Sequence, residues 1–255
     1  MPDDHSRRRV LVIMPAWNEE GSVAQTLAEV RATNPTVDLL VVDDGSTDRT
    51  AERARAAGAS VCQLPFNLGV GGAMRAGYRY ALRHDYDVAV QIDADGQHDP
   101  AHLPALLDRL AGADGQEPVD VLVGARFASD EDTYRAGGLR RFAMVLLAFV
   151  LSRMARTRLT DVTSGYRLAN RRALRLFAQH YPAEYLGDTV ESLVIALRNG
   201  LVVRQEPVQM RVRQSGVASQ STAKAVLYLA RAVVALALAL VRRWPHVPAE
   251  REVAA

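Results

Sequence analysis

The strongest constraint on this chain is the alternation, through its first half, of short unbroken Val/Ile/Leu runs with segments of helical period. Val10–Met14, Leu39–Val42, Ala59–Leu64, Val88–Ile92 and Val119–Val123 are apolar runs of strand length; Glu19–Arg31, Thr47–Ala57, Gly69–Arg83 and Ala101–Leu110 between them read as helices. Runs that are apolar on both faces predict a mostly parallel sheet covered by helices on both sides, an α/β fold. Such sheets bind ligands at the carboxyl ends of their strands. Chemistry is therefore expected just past the end of each run.

The residues there are polar at four places: Pro15-Ala16-Trp17-Asn18-Glu19, Asp43-Asp44-Gly45-Ser46, Asp93-Ala94-Asp95-Gly96-Gln97-His98 and Gly124-Ala125-Arg126. Asp93 and Asp95 crowd two carboxylates past a buried strand. Such a pair needs a cation, and Mg²⁺ or Mn²⁺ suits it because hard cations take oxygen ligands and leave positions for phosphate. Gln97 adds a neutral oxygen. The alternative is a plain turn at Asp95-Gly96, with an aspartate capping the helix after Pro100. At the second site, Ser46 or Thr47 starts a helix with Asp48 in its first turn, which leaves Asp43 and Asp44 unexplained. Asn67-Leu68-Gly69-Val70-Gly71-Gly72-Ala73 opens a helix, either as a phosphate cradle or for close packing. His98 and His102 read as helix-start residues. Of the arginines, Arg126 and Arg213 are kept as phosphate grips, whereas Arg167 and Arg211 are read as solvated surface.

The second half differs. Leu139–Met154 is an apolar helix whose charge-free stretch, Phe142–Ser152, falls short of the roughly 20 residues a bilayer demands. A loop at Thr160–Arg167, a helix at Gly187–Asn199 and one or two strands in Leu201–Val212, broken at Pro207, come next. Thr222–Trp244 is a second apolar helix with a basic stripe of Lys224, Arg231 and Arg242. Both apolar helices suit a membrane interface; the bland alternatives are a core helix and a homodimer contact. The net charge of +2 is too small to argue for nucleic acid, and a lone Cys62 excludes an intrachain disulfide framework or a cysteine zinc site. The N-terminal residues show no signal peptide, so a cytosolic location is expected.

Taken together and in order, the motifs resemble those of family 2 inverting glycosyltransferases, and are similar to the branch of dolichyl- and polyprenyl-phosphate sugar synthases. Asp161-x-Thr163-Ser164-Gly165-Tyr166-Arg167 and Arg213-x-x-Gly216 join the resemblance, which runs from about Arg9 to Ser219. It implies a GT-A (Rossmann-like) fold over residues 1–220, with 221–255 as an apolar helix and tail. It implies a nucleoside pocket at Pro15, Ala16, Trp17, Glu19, Asp44, Asn67, Gly69, Gly72, Ala73, Asp93 and Ala94. Asp95 and Gln97 would hold the metal, and Arg126, Asp161, Thr163, Ser164 and Arg213 would meet sugar and acceptor phosphate. Tryptophan stands at position 17 where such proteins usually carry tyrosine, and the end motif has a shifted serine and no lysine.

The implied reaction is one displacement at an anomeric carbon. A hexose moves from a GDP- or UDP-linked donor to a polyprenyl phosphate, by an enzyme peripheral on the inner face of the cell membrane. The alternative is a saccharide or small-molecule hydroxyl as acceptor, which needs a base; Asp188 and Glu191 are the candidates. A non-catalytic nucleotide-sugar-binding module is the remaining reading.

Overall fold

The computed structural model describes residues 8–126, 138–183 and 188–211. Seven strands, β1 (Val10–Ala16), β2 (Asp38–Asp43), β3 (Ser60–Gln63), β4 (Val88–Gln91), β5 (Val121–Arg126), β6 (Arg167–Asn170) and β7 (Val203–Val208), form one sheet in the order β3-β2-β1-β4-β6-β5-β7. Helices α1 (Val23–Thr33), α2 (Thr50–Ala56), α3 (Gly69–Arg83), α4 (Leu103–Ala111), α5 (Gly138–Ala155), α6 (Arg171–His180) and α7 (Asp188–Arg198) connect them.

The expected sheet is present, with one addition. β6 runs antiparallel to both β4 and β5, while the other pairings are parallel. Sequence patterning marks no element over residues 167–180. Four residues bounded by Arg167 and Asn170 give too short and too polar a run to register as a strand. The helix after it is within reach of such patterning, because Asn170 caps it through Ala173 N–H at 3.0 Å and Ala173, Leu174 and Phe177 repeat at helical spacing.

Alternate residues of each strand feed two cores, as a pleated sheet requires. Leu11 and Ile13 join α3, α5, α6 and α7 on one face; Val10, Val12 and Met14 join α1 and α4 on the other. On the first face Tyr78 packs between Phe177 and Tyr181, its ring tilted against both, with ring centroids 5.3 and 5.1 Å away.

Two further boundaries differ from expectation for physical reasons. β1 continues through Pro15, but its ladder to β4 ends where Ile92 N–H meets Ile13 O at 3.1 Å. The next bond in that parallel ladder would be donated by residue 15, and proline has no N–H. The strands part there, and the acidic segment leaves the sheet. The described part of Leu201–Val212, up to Arg211, contributes a single strand: β7 is an edge strand, where Pro207 is tolerated. Among the described residues no helix is long and apolar enough to cross a membrane. The 222–244 segment lies outside the described residues.

Candidate active site

The loops after β1 and β2 brace each other. Asn18, at φ +55°, donates its N–H to Ser46 Oγ (2.9 Å), and its Oδ1 accepts Thr47 N–H (2.9 Å). Glu19 N–H is held by Thr50 Oγ1 at 2.9 Å. Helix α2 therefore starts later than expected, at Thr50: Ser46 and Thr47 are spent on the neighbouring loop, and Asp48 stands ahead of the helix, accepting Thr50 N–H at 2.9 Å. Pro15 and Ala16 end β1, and Trp17 projects beyond them, 55% exposed.

Asp43 and Asp44, which capping leaves unexplained, tie the β2 end to its neighbours. Asp43 accepts Ser46 N–H (3.1 Å) and Gln63 Nε2 (3.2 Å); Asp44 accepts Leu68 N–H (2.7 Å). Burial pushes the Asp44 carboxyl up, and the backbone N–H groups of Leu68 and Gly69 pull against that shift without cancelling it. Asn67 Oδ1 accepts Gly69 N–H at 3.1 Å as α3 opens. Close packing accounts for at least one glycine of this run: a Cβ on Gly71 would stand 2.2 Å from Pro182 O. Gly72 and Ala73 are buried in the same first turns of α3.

Past β4, Asp93 is fixed from both sides. Its Oδ1 accepts Gln91 Nε2 (3.1 Å), and its N–H is accepted by His98 Nδ1 (3.0 Å). His98, on sequence a helix-start residue, is 2% exposed and stacks on Tyr166 with centroids 5.0 Å apart. His102 does stand at a helix start, directly ahead of α4, and accepts Gln209 N–H at 3.1 Å. Ala94 O accepts Thr26 Oγ1 at 3.1 Å, and Asp95 Oδ1 accepts Gln97 N–H at 3.0 Å in a tight turn. Asp99 caps the turn that begins at Pro100, through Ala101 N–H at 2.9 Å. The loop thus carries the turn chemistry of the bland reading, with Asp93, Asp95 and Gln97 on the same short stretch past β4.

That donor set suits a hard divalent cation. No group of three or more His, Cys, Asp or Glu side chains among the described residues makes a cage by itself. Asp93, Asp95 and Gln97 would need oxygens from a ligand or water to complete the sphere, the arrangement Mg²⁺ favours with phosphates.

The second group of predicted residues also converges. Arg126 forks onto Asp161, with Nε 2.7 Å from Oδ2 and Nη2 3.2 Å from Oδ1, and its Nη2 donates to Thr163 Oγ1 at 3.1 Å. Burial raises the Asp161 carboxyl, but Arg126 and Thr163 outweigh it and hold the group below its ordinary value. Ser164 is turned inward, 2% exposed, with its hydroxyl donated to Gly124 O. This loop lies directly on the acidic one: a Cβ at Gly165 would be 3.2 Å from Asp93 Oδ2.

Asp188 opens α7, and its Cβ lies 3.2 Å from where a Gly71 Cβ would stand. Burial pushes its carboxyl up, Arg167 opposes, and Asp93 adds to the rise. Glu191 sits in the same first turn. Arg167, on sequence solvated, is not: it is 2% exposed. Arg211 keeps a side chain 37% exposed and is also paired at 2.7 Å with both Glu29 and Asp99. Arg213 lies outside the described residues.

Comparison with known proteins gives the chain its relatives. The chain is 32% identical over 219 residues to undecaprenyl-phosphate mannosyltransferase of Micrococcus luteus, covering 84% of this chain and 88% of that one. It is 31% identical over 223 residues to polyprenol monophosphomannose synthase of Mycolicibacterium smegmatis, covering 84% and 82%. Its fold is that of glucosyl-3-phosphoglycerate synthase from Mycobacterium tuberculosis, solved with Mn²⁺, uridine diphosphate and phosphoglyceric acid (TM-score 0.69, 20% identity, 93% of this chain and 80% of that chain). The model of the family described as glycosyl transferase family 2 matches residues 11–177, and with the relatives above this establishes that the chain is a glycosyltransferase belonging to that family.

Proposed function

We propose that the protein moves a hexose, with inversion, from a GDP- or UDP-linked donor to a polyprenyl phosphate at the cytoplasmic face of the membrane. The observation that carries this reading is the contact of the two loops at Gly165 and Asp93. It sets the acidic segment, where a donor diphosphate would be held, against the Arg126–Asp161–Thr163 network, where an acceptor phosphate would be met. The names of the M. luteus and M. smegmatis relatives support a lipid phosphate as acceptor.

In this reading Trp17 offers its exposed ring to the base, and Asp44 and the start of α3 line the nucleoside. Asp93, fixed by Gln91 and His98, borders the donor sugar. Asp95 and Gln97 would hold Mg²⁺ or Mn²⁺, which when bound neutralises charge on the departing diphosphate. Arg126 presents N–H donors at the acceptor side, with its orientation set by Asp161. A phosphate acceptor is already anionic near neutral pH, so no side chain has to take a proton. Residues 1–220 form the catalytic unit, and 221–255 with α5 supply the membrane-facing surface.

One observation favours a hydroxyl acceptor as second reading: Asp188, close enough to Asp93 to feel its charge, has a carboxyl raised by burial, as suits a general base. Purified protein with Mn²⁺ or Mg²⁺, a panel of nucleotide sugars and short polyprenyl phosphates tests both. A sugar–phosphate–prenol mass is expected, retained in Asp188→Asn. Product only with hydroxyl acceptors, and its loss in Asp188→Asn, would replace the first reading with the second.

A further inference from the structure

We propose that Arg167 is a positioning residue, whose guanidinium fork braces the loop carrying Asp161, Thr163 and Ser164 against the helix carrying Asp188 and Glu191. The group is buried, 2% exposed. Its Nε donates to Ser164 O (2.8 Å), Nη2 to Val162 O (3.0 Å) and Nη1 to Ser192 Oγ (2.7 Å). None of these three partners is a carboxylate. Burying a cation on neutral acceptors is expensive, and the ordinary remedy is an adjacent anion. Here the hydrogen bonds go to two backbone carbonyls of one loop and a hydroxyl of one helix, with the Asp188 carboxyl at the start of that helix near enough to feel the charge.

The geometry explains the choice of residue. Ser192 lies one helical turn past Asp188 and so shares its face. Ser192 is itself fully buried and donates to Thr189 O at 3.0 Å, which leaves its lone pairs for Arg167. A planar fork presents its donors from three separate nitrogens in fixed directions, whereas an ammonium group presents all of its donors from one. Because β6 is antiparallel, Arg167 stands at its first residue, in register with Gln91 of β4 and Val123 of β5, at the edge where the two loops meet. None of its hydrogen bonds reaches residues 15–19, 43–48 or 66–73. The brace therefore acts directly on the acceptor loop and α7, and meets the nucleoside side only at second hand, through Asp188 beside Gly71 and Gly165 beside Asp93.

The inference rests on the acceptor reading proposed above, and its test separates the two. In Arg167→Met and Ser192→Ala, affinity for UDP and GDP with Mn²⁺ is measured by calorimetry, KM by turnover on a short polyprenyl phosphate, and amide hydrogen exchange over residues 161–165 and 93–97. Expected are nucleotide affinities within about twofold of wild type. The acceptor KM rises about tenfold in Arg167→Met and about threefold in Ser192→Ala, each on the scale of one typical net hydrogen bond. Exchange at 161–165 quickens while 93–97 is unchanged. An unchanged acceptor KM, or nucleotide affinity falling in step with it, overturns the assignment. Should Arg167→Met not fold, Ser192→Ala, which removes one leg only, decides by the same measures. Should the wild type use no polyprenyl phosphate, the acceptor reading fails and exchange alone decides: faster exchange at 161–165 in Ser192→Ala upholds the brace, and unchanged exchange overturns it.

Discussion

His98 and Asp93 are joined twice: the imidazole Nδ1 accepts the Asp93 N–H at 3.0 Å, and Nε2 stands 3.7 Å from Asp93 Oδ2. Accepting at Nδ1 leaves the proton on Nε2, facing the carboxylate. His98→Ala orphans the Asp93 N–H, a loss of about 1–3 kcal/mol, and frees the carboxylate from its support. Expected are a lower melting temperature and affinity for Mn²⁺ with nucleotide reduced about tenfold, read by calorimetry.

Asp95 and Gln97 are assigned to the metal, so chelation and mutation should agree. EDTA should abolish transfer and added Mn²⁺ should restore it. Asp95→Asn should lower turnover by about two to three orders of magnitude at saturating metal, on the scale of losing a principal electrostatic stabiliser of the leaving group. A variant as active as wild type would remove the metal from the proposal.

Arg126 has a structural as well as a chemical role. Arg126→Ala leaves the Asp161 carboxylate buried without its fork, a destabilisation of about 2 kcal/mol; Arg126 is half exposed, which keeps it below that of a fully buried pair. The wild-type Asp161 carboxyl titrates below 3.8, so its contribution is present above that pH and lost as pH falls through the lower folded value. The melting-temperature gap between wild type and variant should therefore be wide at pH 7 and close in acid. Asp161→Asn in the Arg126→Ala background should recover part of the loss.

Asp188 has the opposite sign. Its folded carboxyl ionises above the unfolded 3.8, so it subtracts stability as pH rises from 3.8 through its folded value. Asp188→Asn should melt higher than wild type at pH 7 and equal to it in acid. The pH-dependence of the two melting curves checks this whichever acceptor the protein uses.

Val145 and Phe149 are four residues apart on α5 and 60% and 64% exposed, and Arg153 stands one turn further along the same helix side. If this face meets lipid, Val145→Asp with Phe149→Asp should weaken co-sedimentation with phosphatidylglycerol-containing vesicles by about tenfold or more, the worth of one buried aromatic. Turnover on a short, water-dispersed acceptor should be unaltered.

The half of the candidate site proposed for the donor is legible in the sequence because strand ends advertise themselves: a buried apolar run stops, and the next residues are polar for a reason. Asp93, Asp95 and Asp44 stand out in that way. Arg167 and His98 do not, because an arginine in an arginine-rich chain and a histidine before a helix carry no mark of burial in one dimension. Only the stacking on Tyr166 and the turn of β6 bring them inside. The Arg126–Asp161 pair spans 35 positions in sequence and is reached through motif resemblance; spacing alone does not join them.

The reversed direction of β6 has a consequence for how such a protein diversifies. A strand running with its neighbours delivers its exit to the working rim; one running against them delivers its entrance. The segment ahead of Arg167 therefore reaches that rim independently of the stretches beyond β1, β2 and β4. On the proposed reading, substitutions in 160–163 would retune what receives the sugar while the half assigned to the nucleotide keeps its shape.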